Sequence, residues 1–164
     1  MKIKAKRLSD TAKLPTYGSE KAACCDLYAD LSDHCITLNP DVEVRNISGN
    51  ENGPIQRVGI APHSTIKIPT GWSFQPEQGY MLQLLQRSGL ASKGLICVGG
   101  IVDEDYTGEI VVIMLNTSDK PIRINNGDRV AQMALRHYYQ AEFELVDELD
   151  KTERGLAGLG STGL

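Results

Sequence analysis

An all-β domain, a sandwich or jelly roll, is what this sequence predicts, on three observations. Apolar residues alternate with polar ones at period two in several short runs. Turn-forming clusters separate those runs at short intervals: Asn39-Pro40, Asn52-Gly53-Pro54, Ala61-Pro62, Gly79 and Asn126-Gly127-Asp128. Amphipathic stretches with a 3.6-residue period are scarce. A chain of 164 residues, 41% of them hydrophobic, is long enough for one compact core and short for two, so a single domain is expected.

Taken in order, Thr65 to Pro69 reads as a half-buried strand with Ile66 and Ile68 on one face, and Tyr80 to Gln86 as another strand. Glu109 to Leu115 is a fuller apolar run, rich in β-branched residues and bounded by Gly108 and Asn116; that composition predicts a strand buried on both faces. Pro121 to Asn125 alternates through Ile122 and Ile124, and Ala141 to Val146 through Phe143 and Leu145, so both are expected to be half-buried strands. Short helical pieces are expected near Leu90 to Lys93 and around Gln132 to Tyr139. The polar segment Asp41 to Pro54 reads as a long surface loop or hairpin tip, with no chemistry assigned to it. From Lys151 to Leu164 the chain turns glycine-rich with few apolar anchors, which predicts a mobile tail, either disordered or a lid.

Net charge is −4, from 17 Lys and Arg against 21 Asp and Glu, so there is no electrostatic footprint for gripping DNA or RNA. No run approaches the roughly 18 apolar residues that span a bilayer, and Met1 to Asp10 lacks the apolar block of a signal peptide. A soluble protein of the cytoplasm or nucleus is the expectation, with no nucleic-acid or membrane partner. The four cysteines, Cys24, Cys25, Cys35 and Cys97, have no C-x-x-C spacing, and a vicinal Cys24–Cys25 bridge would be strained; reduced thiols are expected. Cys24, Cys25, His34 and Cys35 have the ligand types of a zinc site but not the spacing, and ordinary packing accounts for them better. Asn46-Ile47-Ser48 and Asn116-Thr117-Ser118 match the glycosylation sequon, which without a secretory signal reads as coincidence.

Three blocks are candidates for chemistry. Gly158-Leu159-Gly160-Ser161-Thr162-Gly163 satisfies the letter of the dinucleotide fingerprint, but no helix can follow it before the sequence stops, and the lysine of a nucleotide-triphosphate phosphate loop is absent. What survives is physical: closely spaced glycines let backbone N–H groups converge on an anion, and Arg154, Ser161 and Thr162 add donors. Arg87-Ser88-Gly89-Leu90-Ala91-Ser92-Lys93-Gly94 packs two cations, two hydroxyls and two glycines into a turn, which suits phosphate oxygens and suits an ordinary polar turn almost as well. Gly99-Gly100-Ile101-Val102-Asp103-Glu104-Asp105-Tyr106-Thr107-Gly108 carries three carboxylates, which alone would read as a solvated turn. Backbone exposed at Gly99 and Gly100 can read a base edge, however, and Tyr106 can stack on a sugar; together these describe a nucleotide pocket.

Five blocks in order resemble the five motifs of the trimeric dUTPase family. They are Ala22-Ala23-Cys24-Cys25-Asp26-Leu27, Arg87 to Ala91, Gly100 to Gly108, Asn126-Gly127-Asp128-Arg129-Val130-Ala131-Gln132-Met133, and Arg154-Gly155 through Gly158 to Gly163. The resemblance spans nearly the whole chain and implies a distorted jelly-roll domain over residues 1–150, assembled as a homotrimer. Residues 151–164 would form an arm closing over a neighbouring subunit's active site. The implied reaction is hydrolysis of dUTP to dUMP and pyrophosphate with Mg²⁺. Asp103 would be the general base that activates water for attack at the α-phosphorus. Ser88, Gly89 and Gln132 would hold the phosphate chain, with Arg154, Gly160, Ser161 and Thr162 reaching it from the arm and Arg87 supporting the site. Gly99, Gly100 and Ile101 would pair with uracil, and Tyr106 would lie under the deoxyribose and exclude a 2′-hydroxyl. Asp26 would meet Mg²⁺ through water; Asp105 would be structural.

The chain departs from the family pattern in places. Cys24 stands where glycine is usual, Gln86 where proline commonly precedes Arg-Ser-Gly, and Leu159 where most relatives have an aromatic ring stacked on uracil. An arm holding the base through Leu159 alone should close less tightly, so Leu159→Phe is expected to lower the Michaelis constant for dUTP; equal or weaker binding by that variant would count against the idea. The segment near residues 41–57 is longer than a compact family core needs. Two rivals are a dCTP deaminase on the same fold and a non-catalytic, nucleotide-gated binding module.

Overall fold

The computed structural model describes residues 2–32, 36–37 and 57–155. The expected loop at residues 41–54, the Gly-rich stretch at 156–164 and two of the four candidate zinc ligands, His34 and Cys35, lie outside them.

Thirteen strands and one short helix are present among the described residues. In chain order they are β1 (Lys4–Arg7), β2 (Thr16–Tyr17), β3 (Cys25–Tyr28), β4 (Ile36–Thr37), β5 (Arg57–Ile60), β6 (Thr65–Pro69), β7 (Trp72–Gln75) and β8 (Tyr80–Leu85). There follow α1 (Ser88–Ala91), β9 (Leu95–Cys97), β10 (Ile101–Val102), β11 (Val111–Asn116), β12 (Ile122–Asn125) and β13 (Arg129–His137). They form a five-stranded sheet in the order β10-β8-β13-β3-β2 and a four-stranded sheet in the order β4-β6-β11-β9. Two-stranded ribbons, β1-β7 and β12-β5, complete the architecture. Every strand pair among the described residues is antiparallel, as a jelly roll requires.

Alternation explains how the core is filled. In β6 the side chains of Ile66 and Ile68 point inward, as expected, and meet Met114 and Val112 of β11 across the ladder. Leu82 and Leu84 of β8, Leu27 of β3 and Val130, Ala131 and Met133 of β13 join them in one cluster. Cys25 is buried there too and its thiol donates to the Met133 carbonyl; desolvation raises its pKa, so it is a packing residue held protonated.

Three expectations are corrected. β11 is fully buried on one face only: Val112, Met114 and Asn116 point into the core, while Val111 and Ile113 are half-buried and face a cleft. Gln132 to Tyr139 is not helical but mostly part of β13, the long strand between β8 and β3. A register shift between Arg129 and Ala131, together with cover on both faces, leaves Val130, Ala131, Met133 and Ala134 all buried, a spacing that imitates a helical stripe. Ala141 to Val146 forms no strand; Phe143 is 92% and Leu145 99% exposed. Its alternation is that of a strand, but among the described residues no sheet edge receives it.

Asn116 of the second sequon is 0% exposed, so no glycan can reach it. Its amide donates to the carbonyls of Ile60, Ala61 and Lys120 and its oxygen accepts from Ser118, which ties three loops together. Asp30 is a second buried polar node. Burial opposes its ionisation, but the hydroxyls of Ser9, Ser32 and Thr11 around the carboxylate, the last two donating to it, outweigh that and hold its pKa below the ordinary carboxylate value. A depressed folded pKa contributes stability that is present above the unfolded pKa and is lost as pH falls through the folded one. The melting-temperature gap between wild type and Asp30→Asn should therefore be widest near neutrality and shrink below about pH 4; a gap independent of pH would contradict this.

Candidate active site

Two groups of side chains stand out, and each is assembled by strand pairing. The first is built on the hairpin that leads to Asp103. Gly99 has φ +75°, a left-handed conformation that lets the chain turn into β10. Beyond it Gly100 lies so close to β8 that a Cβ there would stand 2.5 Å from the Leu84 carbonyl oxygen. The Leu84 N–H donates to the Gly100 carbonyl at 2.7 Å, and β10 then pairs Ile101 with Gln83 and Val102 with Leu82. Asp103 follows directly, exposed, in a turn closed by the Tyr106 N–H donating to the Asp103 carbonyl at 3.2 Å.

The Tyr106 ring lies against the Cα of Gly108, where any side chain would collide with it, and its hydroxyl donates to the Glu109 carbonyl at 3.0 Å. Glu109 in turn accepts from the Gly71 N–H at 2.7 Å, which anchors the far end of the loop to the start of β7. Gly99, Gly100, Ile101, Asp103 and Tyr106 thus line a single open cleft of about 730 Å³, floored by Val111 and Ile113. Its walls are mainly apolar, with a few polar groups at fixed points, the composition of a small-molecule site. Lys67, which the sequence offers no reason to single out, also lines it.

The second group surrounds Asp26 on β3, opposite Gln132 of β13. Gln132 in turn faces Leu85 at the end of β8, just before Arg87 and α1. Asp26 is 6% exposed and paired: Arg87 Nε donates to one carboxylate oxygen at 2.9 Å, and Arg129 donates to the other at 3.3 Å. Arg87 also donates to the Arg129 carbonyl at 3.3 Å. Removing either arginine would leave a buried carboxylate short of a partner. Ser88 and Gly89, at the start of α1, are exposed beside this cluster, and Gly89 has open space around it. Arg129 was missed at the sequence level; it sits three residues before Gln132 in the same block, and only the β3–β13 pairing turns it toward Asp26.

None of Asp26, Arg87, Ser88, Gly89 or Gln132 lines the Asp103 cleft. One chain therefore presents two half-sites, one with the groups suited to a base, a sugar and water, the other with the groups suited to phosphate. Arg154 is exposed near the end of the described residues, and Leu159, Gly160, Ser161 and Thr162 lie beyond them.

The dUTPase family model matches residues 55–163, well over half of the chain. This chain belongs to the dUTPase family. It is 36% identical over 170 residues to the deoxyuridine 5'-triphosphate nucleotidohydrolase of Orientia tsutsugamushi (strain Ikeda), covering 100% of this chain and 99% of that one. With the protein of the same description from Helicobacter pylori (strain Shi470) it is 37% identical over 167 residues, covering 100% and 98%. Among solved structures, the Staphylococcus bacteriophage 80alpha dUTPase with dUPNHPP superposes with a TM-score of 0.78 at 22% identity over 99% of each chain. A mutant dUTPase of phage phi11 of S. aureus, described for its coordination of a structural Mg(II) ion, superposes at 0.71 with 18% identity over 92% of this chain and 100% of that one. At such identities the two phage enzymes establish the fold: this is a dUTPase jelly roll.

A divalent ion can be tested against the donors present. Among the described residues no three His, Cys, Asp or Glu side chains cluster as a metal cage. Asp26 already has one arginine on each oxygen, which suits a carboxylate that meets an ion's water shell better than one that binds the ion directly. Mg²⁺ fits such a place, because it keeps most of its waters and takes its remaining ligands from substrate phosphates.

Proposed function

We propose that this dUTPase-family chain hydrolyses dUTP to dUMP and pyrophosphate as a Mg²⁺-dependent homotrimer, which keeps uracil out of DNA and supplies dUMP for dTMP synthesis. The observation that carries the reading is the Asp103 cleft: a carboxylate stands at the end of a backbone slot made accessible by Gly99 and Gly100, with a tyrosine ring beside it.

In that slot the main chain of Gly99 to Ile101 pairs with the uracil edge. A close backbone fit excludes the methyl of thymine and mismatches cytosine, and each buried polar group left unpaired costs about 1–3 kcal/mol. Tyr106 lies under the deoxyribose and leaves no room for a 2′-hydroxyl. Asp103 accepts a proton from water as the water oxygen bonds to the α-phosphorus. The bond from that phosphorus to the bridging oxygen breaks, and pyrophosphate departs with the electron pair. Phosphoryl transfer asks chiefly for positioning and charge neutralisation, which Ser88, Gly89 and Gln132 supply along the phosphate chain, with Arg87 oriented by Asp26. Mg²⁺ would be held there by Asp26 acting through the ion's water shell, and would supply neutralisation of phosphate charge.

The division of the chemistry into two half-sites supports an assembly in which the cleft of one subunit meets the Asp26 group of another. Exposed Phe143 and Leu145, alternating along a segment that pairs with no strand among the described residues, support the same assembly, since a neighbouring sheet edge would cover them. We assign residues 151–164 to an arm that closes over a neighbour's site, with Arg154, Leu159, Gly160, Ser161 and Thr162 its contacts. Pyrophosphate release from dUTP, dCTP, dTTP and UTP with Mg²⁺ tests the reading: only dUTP should be consumed. Ammonia release from dCTP would indicate a deaminase, and inertness toward all four a binding module. Light scattering should report a mass three times that of the chain.

A further inference from the structure

Of the three consecutive carboxylates 103–105, Glu104 is half-buried while Asp103 and Asp105 are exposed. Its side chain does not line the cleft and accepts a hydrogen bond from a distant part of the chain, the Gly79 N–H in the turn before β8. Tyr138 is the first residue after β13, where the chain leaves the five-stranded sheet, and its own N–H donates to the Gly79 carbonyl at 3.1 Å. Gly79 needs its φ of +82° to present both groups at once. Aromatic contacts close the cluster: Tyr80 against His137 at 5.0 Å and His137 against Tyr139 at 4.7 Å.

We propose that Glu104 is a positioning residue: by clamping the 103–106 turn to Gly79, it sets where the Asp103 carboxylate stands. The need for such a clamp is physical. β10 contributes only two paired residues, and the turn beyond it is otherwise closed by one bond, Tyr106 N–H to the Asp103 carbonyl. A general base must stand within hydrogen-bond reach of its water, and a displacement of about 1 Å lowers a rate by up to about a hundredfold. Because the Tyr138 N–H donates to the Gly79 carbonyl, the start of the C-terminal segment and the Asp103 turn are tied to the same glycine.

The inference rests on the proposed reaction and is tested with the full chain and dUTP. Glu104→Ala should lower kcat about tenfold with KM within about twofold of wild type, while Glu104→Gln, whose amide oxygen still accepts from the Gly79 N–H, should keep kcat within about twofold. In addition, amide hydrogen exchange of a peptide spanning residues 100–108 should be faster in Glu104→Ala than in wild type. Wild-type kcat in Glu104→Ala, an equal loss in Glu104→Gln, or a KM that rises in step with the loss of rate would overturn the clamp. Unchanged exchange would overturn it too, and that measurement needs no turnover. A wild-type chain inert toward dUTP would instead overturn the proposed reaction, leaving the clamp to be decided by exchange alone.

Discussion

Asp103→Asn should lower kcat on the order of a thousandfold, the usual scale for removing a general base, while nucleotide binding should be retained. The amide has the shape of the carboxylate but does not take up the proton of the attacking water. Stability should not follow activity down, for two reasons visible in the structure. Asp103 is exposed, so no buried charge pair is broken, and the turn depends on its main-chain carbonyl, which the substitution leaves in place. Calorimetry with a non-hydrolysable dUTP analogue and a pyrophosphate assay separate the two effects. A variant that keeps more than about a tenth of wild-type kcat would assign the base elsewhere, since a group doing this work contributes at least about a hundredfold.

Gly100→Ala is the second large effect, and it acts on binding. The added methyl would stand 2.5 Å from the Leu84 oxygen and 3.5 Å from the Leu84 carbonyl carbon, both backbone atoms of a central strand. Neither can withdraw without breaking the 2.7 Å bond from the Leu84 N–H to the Gly100 carbonyl. Overpacking of this kind costs about 1–3 kcal/mol, and the hairpin relieves it by lifting from β8 and distorting the base slot. KM for dUTP should rise at least about tenfold, since 1.4 kcal/mol corresponds to that factor, and discrimination against dCTP should weaken. Gly18→Ala is the control: its Cβ meets nothing within 4 Å, so KM should stay at the wild-type value. A Gly100→Ala enzyme with unchanged KM would show that the slot does not depend on this close approach.

Much of the site can be read from residue types and order. Gly99, Gly100, Asp103 and Tyr106 fall within one short stretch, so their neighbourhood is local, and a strand followed by a turn brings them together whatever the rest of the chain does. The pairing of Asp26 with Arg87 and Arg129 is not local. It spans 61 residues in one case and 103 in the other, and it follows from β13 lying between β3 and β8. Glu104 was hidden for the same reason, since within its acidic run nothing distinguishes it from its neighbours.

What the residues alone determined is the alternation of β6 and β12, the turns between strands, and the five ordered blocks of the dUTPase family. Period and turn chemistry act over a few residues, so they survive in a linear reading. Tertiary structure alone decided that the apolar stripe after Arg129 is a strand, that Asn116 is a buried hub, and that the Asp26 group does not line the Asp103 cleft. A repeating pattern states which face is apolar and leaves open what will cover it, and the cover is chosen by strands that arrive from elsewhere.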